Sequence, residues 1–153
     1  MSTDTVRADH RLDALHPAIA AGLGALTFAT TMIAGDLLDL NADTDGGPGT
    51  SLLDLTAYFG LVLAAYGLAV WLGIRSRAGA PGRLSRTALG LALASAATFV
   101  GFWSGWPHVF AAVAIALALE HRRRVGSFSG VATAALVIGA ISFVATSFVC
   151  LVG

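Results

Sequence analysis

Four long stretches without a charged residue constrain this chain more than any other feature of its sequence. Three of them, residues 17–35, 55–74 and 125–153, are each long enough for one membrane-spanning helix. Such a helix needs about 20 mainly apolar residues to cross about 30 Å of hydrocarbon. Only 12% of the 153 residues are charged, whereas soluble domains carry about 25%. The sequence therefore predicts an integral membrane protein and disfavours a soluble enzyme or a nucleic-acid-binding protein.

The fourth stretch, residues 87–119, is too long for one span and carries a turn signal inside it. As a single helix it would reach about 50 Å, well beyond a bilayer core. Residues 101–108 contain two glycines and a proline, which favour a turn, and two tryptophans, which favour the headgroup level. We therefore predict a helical hairpin here and five spans in all. They cover about residues 17–36, 54–74, 85–103, 106–120 and 128–151.

The positive charges favour the same number of spans and give an orientation. Lysine is absent, and the nine arginines form three groups along the chain. These are Arg7 and Arg11, then Arg75, Arg77, Arg83 and Arg86, then Arg122, Arg123 and Arg124. With five spans all three groups lie on one side, which the positive-inside rule assigns to the cytoplasm. We expect an all-α polytopic membrane bundle with its amino terminus inside and its carboxyl terminus outside.

We expect residues 1–15 to form a cytoplasmic leader and residues 16–153 to form a single transmembrane domain. The leader mixes acidic residues with its arginines, which is not typical of a cleavable signal peptide. Abundant alanine, glycine and arginine without lysine is typical of GC-rich bacterial genomes. The expected location is therefore a bacterial plasma (inner) membrane.

Small residues recur four positions apart within the predicted spans. Such rows allow close helix packing, which matters in lipid because the hydrophobic force between helices is weak there. The rows are Ala21, Ala25 and Ala29; Gly60 and Ala64; Ala88, Ala92 and Ala96; Ala112 and Ala116; and Ala135 and Gly139.

We expect no ionisable residue near the midpoint of any span, which disfavours ion-coupled transport through this chain alone. At the predicted inner ends, His16 and His121 form the one histidine pair at similar depth, as a haem would require. At the outer ends, Asp36, Asp54 and His108 combine carboxylates with an imidazole, which could bind a divalent metal or handle protons. Helix capping and a solvated acidic rim are the simpler alternatives, and no cofactor is predicted.

The three arginines Arg122, Arg123 and Arg124 end the fourth predicted span. There they complement the carboxyl end of the helix and meet anionic lipid headgroups. Retention of the topology is their simplest role, and a specific lipid or partner site is the alternative.

The sequence contains no phosphate-binding glycine loop and no metalloprotease or hydrolase motif, so an enzymatic role is not favoured. The first hypothesis is a non-catalytic subunit or scaffold that packs against itself, as a homo-oligomer, or against a larger membrane complex. The second is a small membrane enzyme or cofactor carrier that uses the outer Asp/His/Trp rim for lipid or quinone, or the inner histidines for haem. The third is a transporter component.

Overall fold

The computed structural model describes residues 15–38, 40 and 52–152. Helices make up 90% of these residues and no strand occurs among them, which confirms the predicted all-helical fold. The helices are α1 (Pro17–Leu37), α2 (Leu52–Arg77), α3 (Pro81–Ala97), α4 (Trp106–Val125) and α5 (Gly130–Val152), and a 3-10 helix (Thr98–Ser104) connects α3 to α4.

Among the described residues, four helical stretches are long and apolar enough to cross a membrane. They are Pro17–Gly35, Phe59–Arg77, Pro81–Ser104 and Gly130–Val152. Helix α4 has 20 residues, but Glu120 and three arginines occupy its last turns. Its apolar part, residues 106–119, is therefore only about 21 Å long. The chain thus has four to five helices suited to a membrane.

Helix α4 lies at the centre of the bundle. It packs against α1, α2, α3 and α5, and these four helices contact one another in a closed ring in that order. Val109, Val113 and Leu117 of α4 are fully buried, whereas the outer helices carry many exposed apolar side chains. Because the other helices cover most of α4, this helix does not need the apolar surface that a lipid-facing helix needs.

The chain reverses between α3 and α4, at the place where the glycines, proline and tryptophans predicted a turn. Gly101 departs from helical backbone angles, with φ −104° and ψ 42°. Gly105 adopts a left-handed conformation with φ 73°, which favours glycine because a side chain would be strained there. Pro107 lies in the first turn of α4, where its missing N–H would have no partner in the helix anyway.

The described arginines gather at one end of the bundle, where α2 and α4 end and α1, α3 and α5 begin. We call this the arginine end. Two contacts align the helices there. A methyl group on Gly73 of α2 would lie 2.6 Å from Pro17 Cβ, at the start of α1. His121 Nδ1 of α4 lies 3.0 Å from the carbonyl oxygen of Pro81, at the start of α3.

At the end of the bundle opposite the arginine end, α4 begins closer to the middle of the bundle than the end of α1 and the start of α2 do. A methyl group on Gly105 would lie 2.9 Å from Phe28 Cδ1, and α1 continues nine residues beyond Phe28. The Trp106 indole Nε1 donates to the Leu61 carbonyl oxygen at 2.9 Å, and α2 begins nine residues before Leu61. Both helices therefore extend about 14 Å past the α3–α4 turn.

Gly24 tests the close contact of α1 with α4. A methyl group there would lie 2.6 Å from the His108 carbonyl oxygen, whereas one on Gly22 would meet nothing within 4 Å. We expect Gly24→Ala to lower the free energy of unfolding by about 1–3 kcal/mol relative to Gly22→Ala, because a backbone clash costs about that much. Both substitutions raise helix propensity by the same amount, so the difference between the two variants in the free energy of unfolding measures the cost of the clash with α4. The free energy of unfolding is measured by denaturing the purified protein with increasing mole fractions of SDS. Equal stability of the two variants would contradict the contact.

Candidate functional site

Glu120 is a buried carboxylate at the arginine end, with only 1% of its surface exposed. Arg124 Nε donates to Glu120 Oε1 at 2.7 Å, and Arg123 Nε lies 3.0 Å from Oε2. Arg77 Nη2, which comes from α2, lies 3.8 Å from Oε1. An unpaired buried carboxylate would be strongly destabilising, so these arginines are the partners that a carboxylate at this position needs.

The same cluster ties three helix ends together. Arg124 Nη1 donates to the carbonyl oxygen of Arg77 at 2.8 Å, so it caps the end of α2, whose last carbonyls have no partner within the helix. The contact between His121 Nδ1 and the Pro81 carbonyl ties α4 to the start of α3. A carbonyl only accepts, so Nδ1 of His121 carries the proton. The His121 Nε2 atom is buried and has no hydrogen-bond partner among residues 15–38, 40 and 52–152.

The arginine run that the sequence assigned to lipid headgroups divides into two parts. Arg123 and Arg124 contact Glu120, so they have a role inside the protein. Arg122 is exposed, and its guanidinium carbon lies 5.1 Å from the centre of the Phe128 ring. The contacts of Arg123 and Arg124 with Glu120 could have been predicted from the sequence, because residues three and four positions apart share a helix face. No local pattern indicated Arg77.

His108 is fully buried close to the start of α4. Its ring lies between Phe28 of α1 and Phe143 of α5, with 5.5 Å between ring centres in each pair. His108 Nε2 lies 3.1 Å from the Ser147 hydroxyl oxygen of α5. That hydroxyl donates its single proton to the Phe143 carbonyl, so His108 Nε2 must be the donor. The Nδ1 atom is left as a buried acceptor without a partner in the described part of the chain.

The absence of ionisable residues near the midpoints of the spans stays a prediction, but His108 lies deeper in the bundle than the outer end of a span where the sequence placed it. Its backbone contacts Gly24, which lies near the middle of the apolar stretch Pro17–Gly35. The physical reason is the offset between the helices, because α4 begins about 14 Å below the far ends of α1 and α2. An ionisable side chain at that depth is a functional-site candidate in a membrane protein.

The proposed metal site of Asp36, Asp54 and His108 is not assembled by the described residues. The side chains of Asp36 and Asp54 lie outside them, although both backbones belong to helices. Asp36 follows Gly24 by twelve residues, so its backbone lies about 18 Å beyond the level of His108. Among residues 15–38, 40 and 52–152, no three His, Cys, Asp or Glu side chains come together as metal ligands would.

The two histidines of the proposed haem pair, His16 and His121, lie at different levels along the bundle axis. His16 caps α1, because its Nδ1 accepts the Ala18 N–H at 3.2 Å. The neighbouring Pro17 contacts Gly73, which lies at the level of Val113. His121 follows Val113 by eight residues, about 12 Å along α4. This offset does not favour a single cofactor bound by both rings.

An apolar groove of about 250 Å³ lies between α1, α4 and α5. Its floor is formed by Ala112, Ile115, Ala116 and Leu119 of α4, and its walls by Leu15, Ala20 and Leu23 on one side and Phe143 on the other. Phe143 is also the residue that packs against His108. The groove therefore runs from the His108 region to the arginine end, and sequence reasoning missed it because it requires three helices to be placed together.

Substitution of Glu120 tests the cluster at the arginine end. We expect Glu120→Gln to lower the free energy of unfolding by about 3–5 kcal/mol, because it removes the negative member of a buried ion cluster. Arg86→Gln, an exposed change on α3, is the control and should stay within about 0.5 kcal/mol of the wild type. The same SDS titration measures both, and a fully stable Glu120→Gln protein would refute the role of this carboxylate.

The tautomer of His108 can be read directly. Nitrogen-15 NMR of protein labelled at its four histidines should show a neutral ring protonated at Nε2, assigned by its loss in His108→Phe. Ser147→Ala should shift this signal and lower the free energy of unfolding by about 1–3 kcal/mol, because a buried donor loses its acceptor. Thr133→Ala, which changes an exposed hydroxyl that donates to the carbonyl of Ser129 just before α5, should do neither. A ring protonated at Nδ1 would contradict the assignment.

No protein-family model, curated protein or solved structure matches this chain. Its function is therefore inferred from its own residues.

Proposed function

We propose that the chain is a small multi-pass membrane protein that acts as a non-catalytic subunit or scaffold, with α2 as the helix that packs against another membrane chain. The observation that carries the proposal is that the row of small residues on α2, Gly60 and Ala64, is exposed throughout, whereas each of the other four rows has at least one buried member.

Each of the other four rows has buried members, although Ala29 and Ala96, which end two of these rows, are exposed. Ala21, Ala88, Ala92 and Ala135 are fully buried, and Ala116 is nearly so. The row on α5 also brings its backbone against α4, because a methyl group on Gly139 would lie 3.3 Å from Ile115 Cγ1. These rows therefore serve the purpose that small residues serve between membrane helices, which is to let two backbones approach.

The row on α2 is different, because Gly60 and Ala64 are both exposed. Gly67 and Trp71 continue this face at helical spacing and are exposed as well. Apart from the backbone of α2 itself, no atom of the described residues lies within 4 Å of a methyl group placed on Gly60 or on Gly67. Exposed Leu63 borders the row, so the face is a shallow channel beside a ridge. A helix of another membrane chain fits such a surface.

The proposal includes five membrane spans, with the amino terminus in the cytoplasm of a bacterial cell and the carboxyl terminus outside. The gathering of the described arginines at one end supports it, because the positive-inside rule then gives a single orientation. The enclosure of α4 supports the fifth span, since a helix with a short apolar part can cross when its neighbours shield it.

The α2 face is tested by a photoreactive benzophenone residue placed at position 64, with position 140 on the exposed face of α5 as the matched control. Illumination of native membranes should give one discrete cross-linked product from position 64 and none from position 140. A product of twice the chain mass would identify a second copy as the partner, and any other discrete mass would identify a different subunit. Absence of a product, or equal products from both positions, would contradict the proposal.

A second candidate, a small membrane enzyme or a carrier of haem, lipid or quinone, is favoured by one observation. His108 holds a buried acceptor nitrogen without a partner among the described residues, and its ring packs against Phe143, which also lines the apolar groove. A Soret band that is present in the purified protein and absent from His108→Phe would favour this candidate over the first. The transporter component remains a sequence-based prediction.

A further inference from the structure

The groove between α1, α4 and α5 has the shape and chemistry of a site for one hydrocarbon chain. The small side chains of Ala112 and Ala116 give it depth, and Leu23 and Phe143 stand at its sides. All its lining residues are apolar. It opens on the outside of the bundle, where lipid is the solvent of a membrane protein, so a slender apolar chain can enter it from the bilayer.

The groove leads to a positive charge at the arginine end. Ile115, Leu119 and Arg122 follow one another at spacings of four and three residues, so they share one face of α4. Arg122 therefore lies one turn past the last groove residue on the floor. Arg123 and Arg124 direct their guanidinium groups to Glu120, whereas that of Arg122 lies over the Phe128 ring. An arginine stacked on an aromatic ring can still bind a phosphate through the edge of its guanidinium group.

From this arrangement we propose that the groove binds an anionic phospholipid, with an acyl chain along Ala112, Ala116 and Leu119 and the phosphate at Arg122. Charge complementarity identifies this occupant, because a free phosphate would leave the apolar groove unfilled and a headgroup without net charge would gain less from the arginine. The site lies between α1 and α5, on the side of α4 away from the contact of α2 with α3, and is independent of the packing proposed for α2.

Native mass spectrometry of the purified protein with phosphatidylglycerol or phosphatidylcholine of identical acyl chains tests the site. The wild type should retain phosphatidylglycerol in preference. Arg122→Gln should weaken phosphatidylglycerol binding by about fivefold, because one arginine near the headgroups contributes about 1 kcal/mol. The same substitution should leave phosphatidylcholine binding unchanged. Arg83→Gln, which removes an exposed arginine of α3 at the same end, is the matched control and should keep wild-type binding.

The acyl chain is tested separately by Ala112→Leu, which fills the floor of the groove and should weaken binding of both lipids. Ala96→Leu, an exposed change on α3, should weaken neither. Equal retention of the two lipids by the wild type would overturn the proposal. Equal losses in Arg122→Gln and Arg83→Gln would overturn it too, because they would show general charge attraction to the arginine end. Unchanged binding in Ala112→Leu would exclude the groove as the position of the acyl chain.

Discussion

The enclosure of α4 by the other four helices is the constraint on which the rest of the bundle depends. A helix at the centre of a membrane protein exposes little of its surface to lipid, so its polar groups need partners within the protein. The Glu120 carboxylate finds them in arginines of α2 and α4, and the His108 imidazole finds one in Ser147 of α5. The contacts that provide partners for the polar side chains of α4 therefore also hold the neighbouring helices in place.

A second consequence of this arrangement is that the helices are not level with one another. The apolar part of α4 is about 21 Å long, shorter than a bilayer core of about 30 Å. With its last turn held at the arginine end by Glu120, its first turn lies below the far ends of α1 and α2. The Trp106 indole, which the sequence assigned to the headgroup level, donates instead to a backbone carbonyl of α2. His108, one turn further along α4, reaches the depth of the middle of α1.

The parts of this structure that the sequence predicted are those determined by local pattern. Hydropathy and length predicted the helices, and the glycine, proline and tryptophan residues before His108 predicted the turn between α3 and α4. The depth of His108 could not be predicted, because it follows from the axial position of α1 against α4. That position depends on a close backbone approach at Gly24, which a single sequence does not reveal.

The same distinction applies to the candidate sites. The contact of Glu120 with Arg124 lies within about one helix turn and could be predicted from their spacing. Arg77 belongs to another helix and precedes Glu120 by 43 positions, so no spacing within one helix predicts its contact. The apolar groove requires α1 and α5, which are far apart in sequence, to stand on either side of one face of α4. The acidic residues Asp36 and Asp54 lie outside the described side chains, so their metal site remains a prediction.

The central position of α4 is tested most directly by labelling the protein in its membrane with a lipid-soluble photoreactive carbene. The account predicts strong labelling of exposed apolar side chains such as Leu26, Leu63 and Ile141 on the outer helices. It predicts no labelling of Val109, Val113 and Leu117, which the other helices cover. Labelling of these three residues to the same extent as the outer helices would show that α4 faces lipid, and would contradict the arrangement on which both proposals rest.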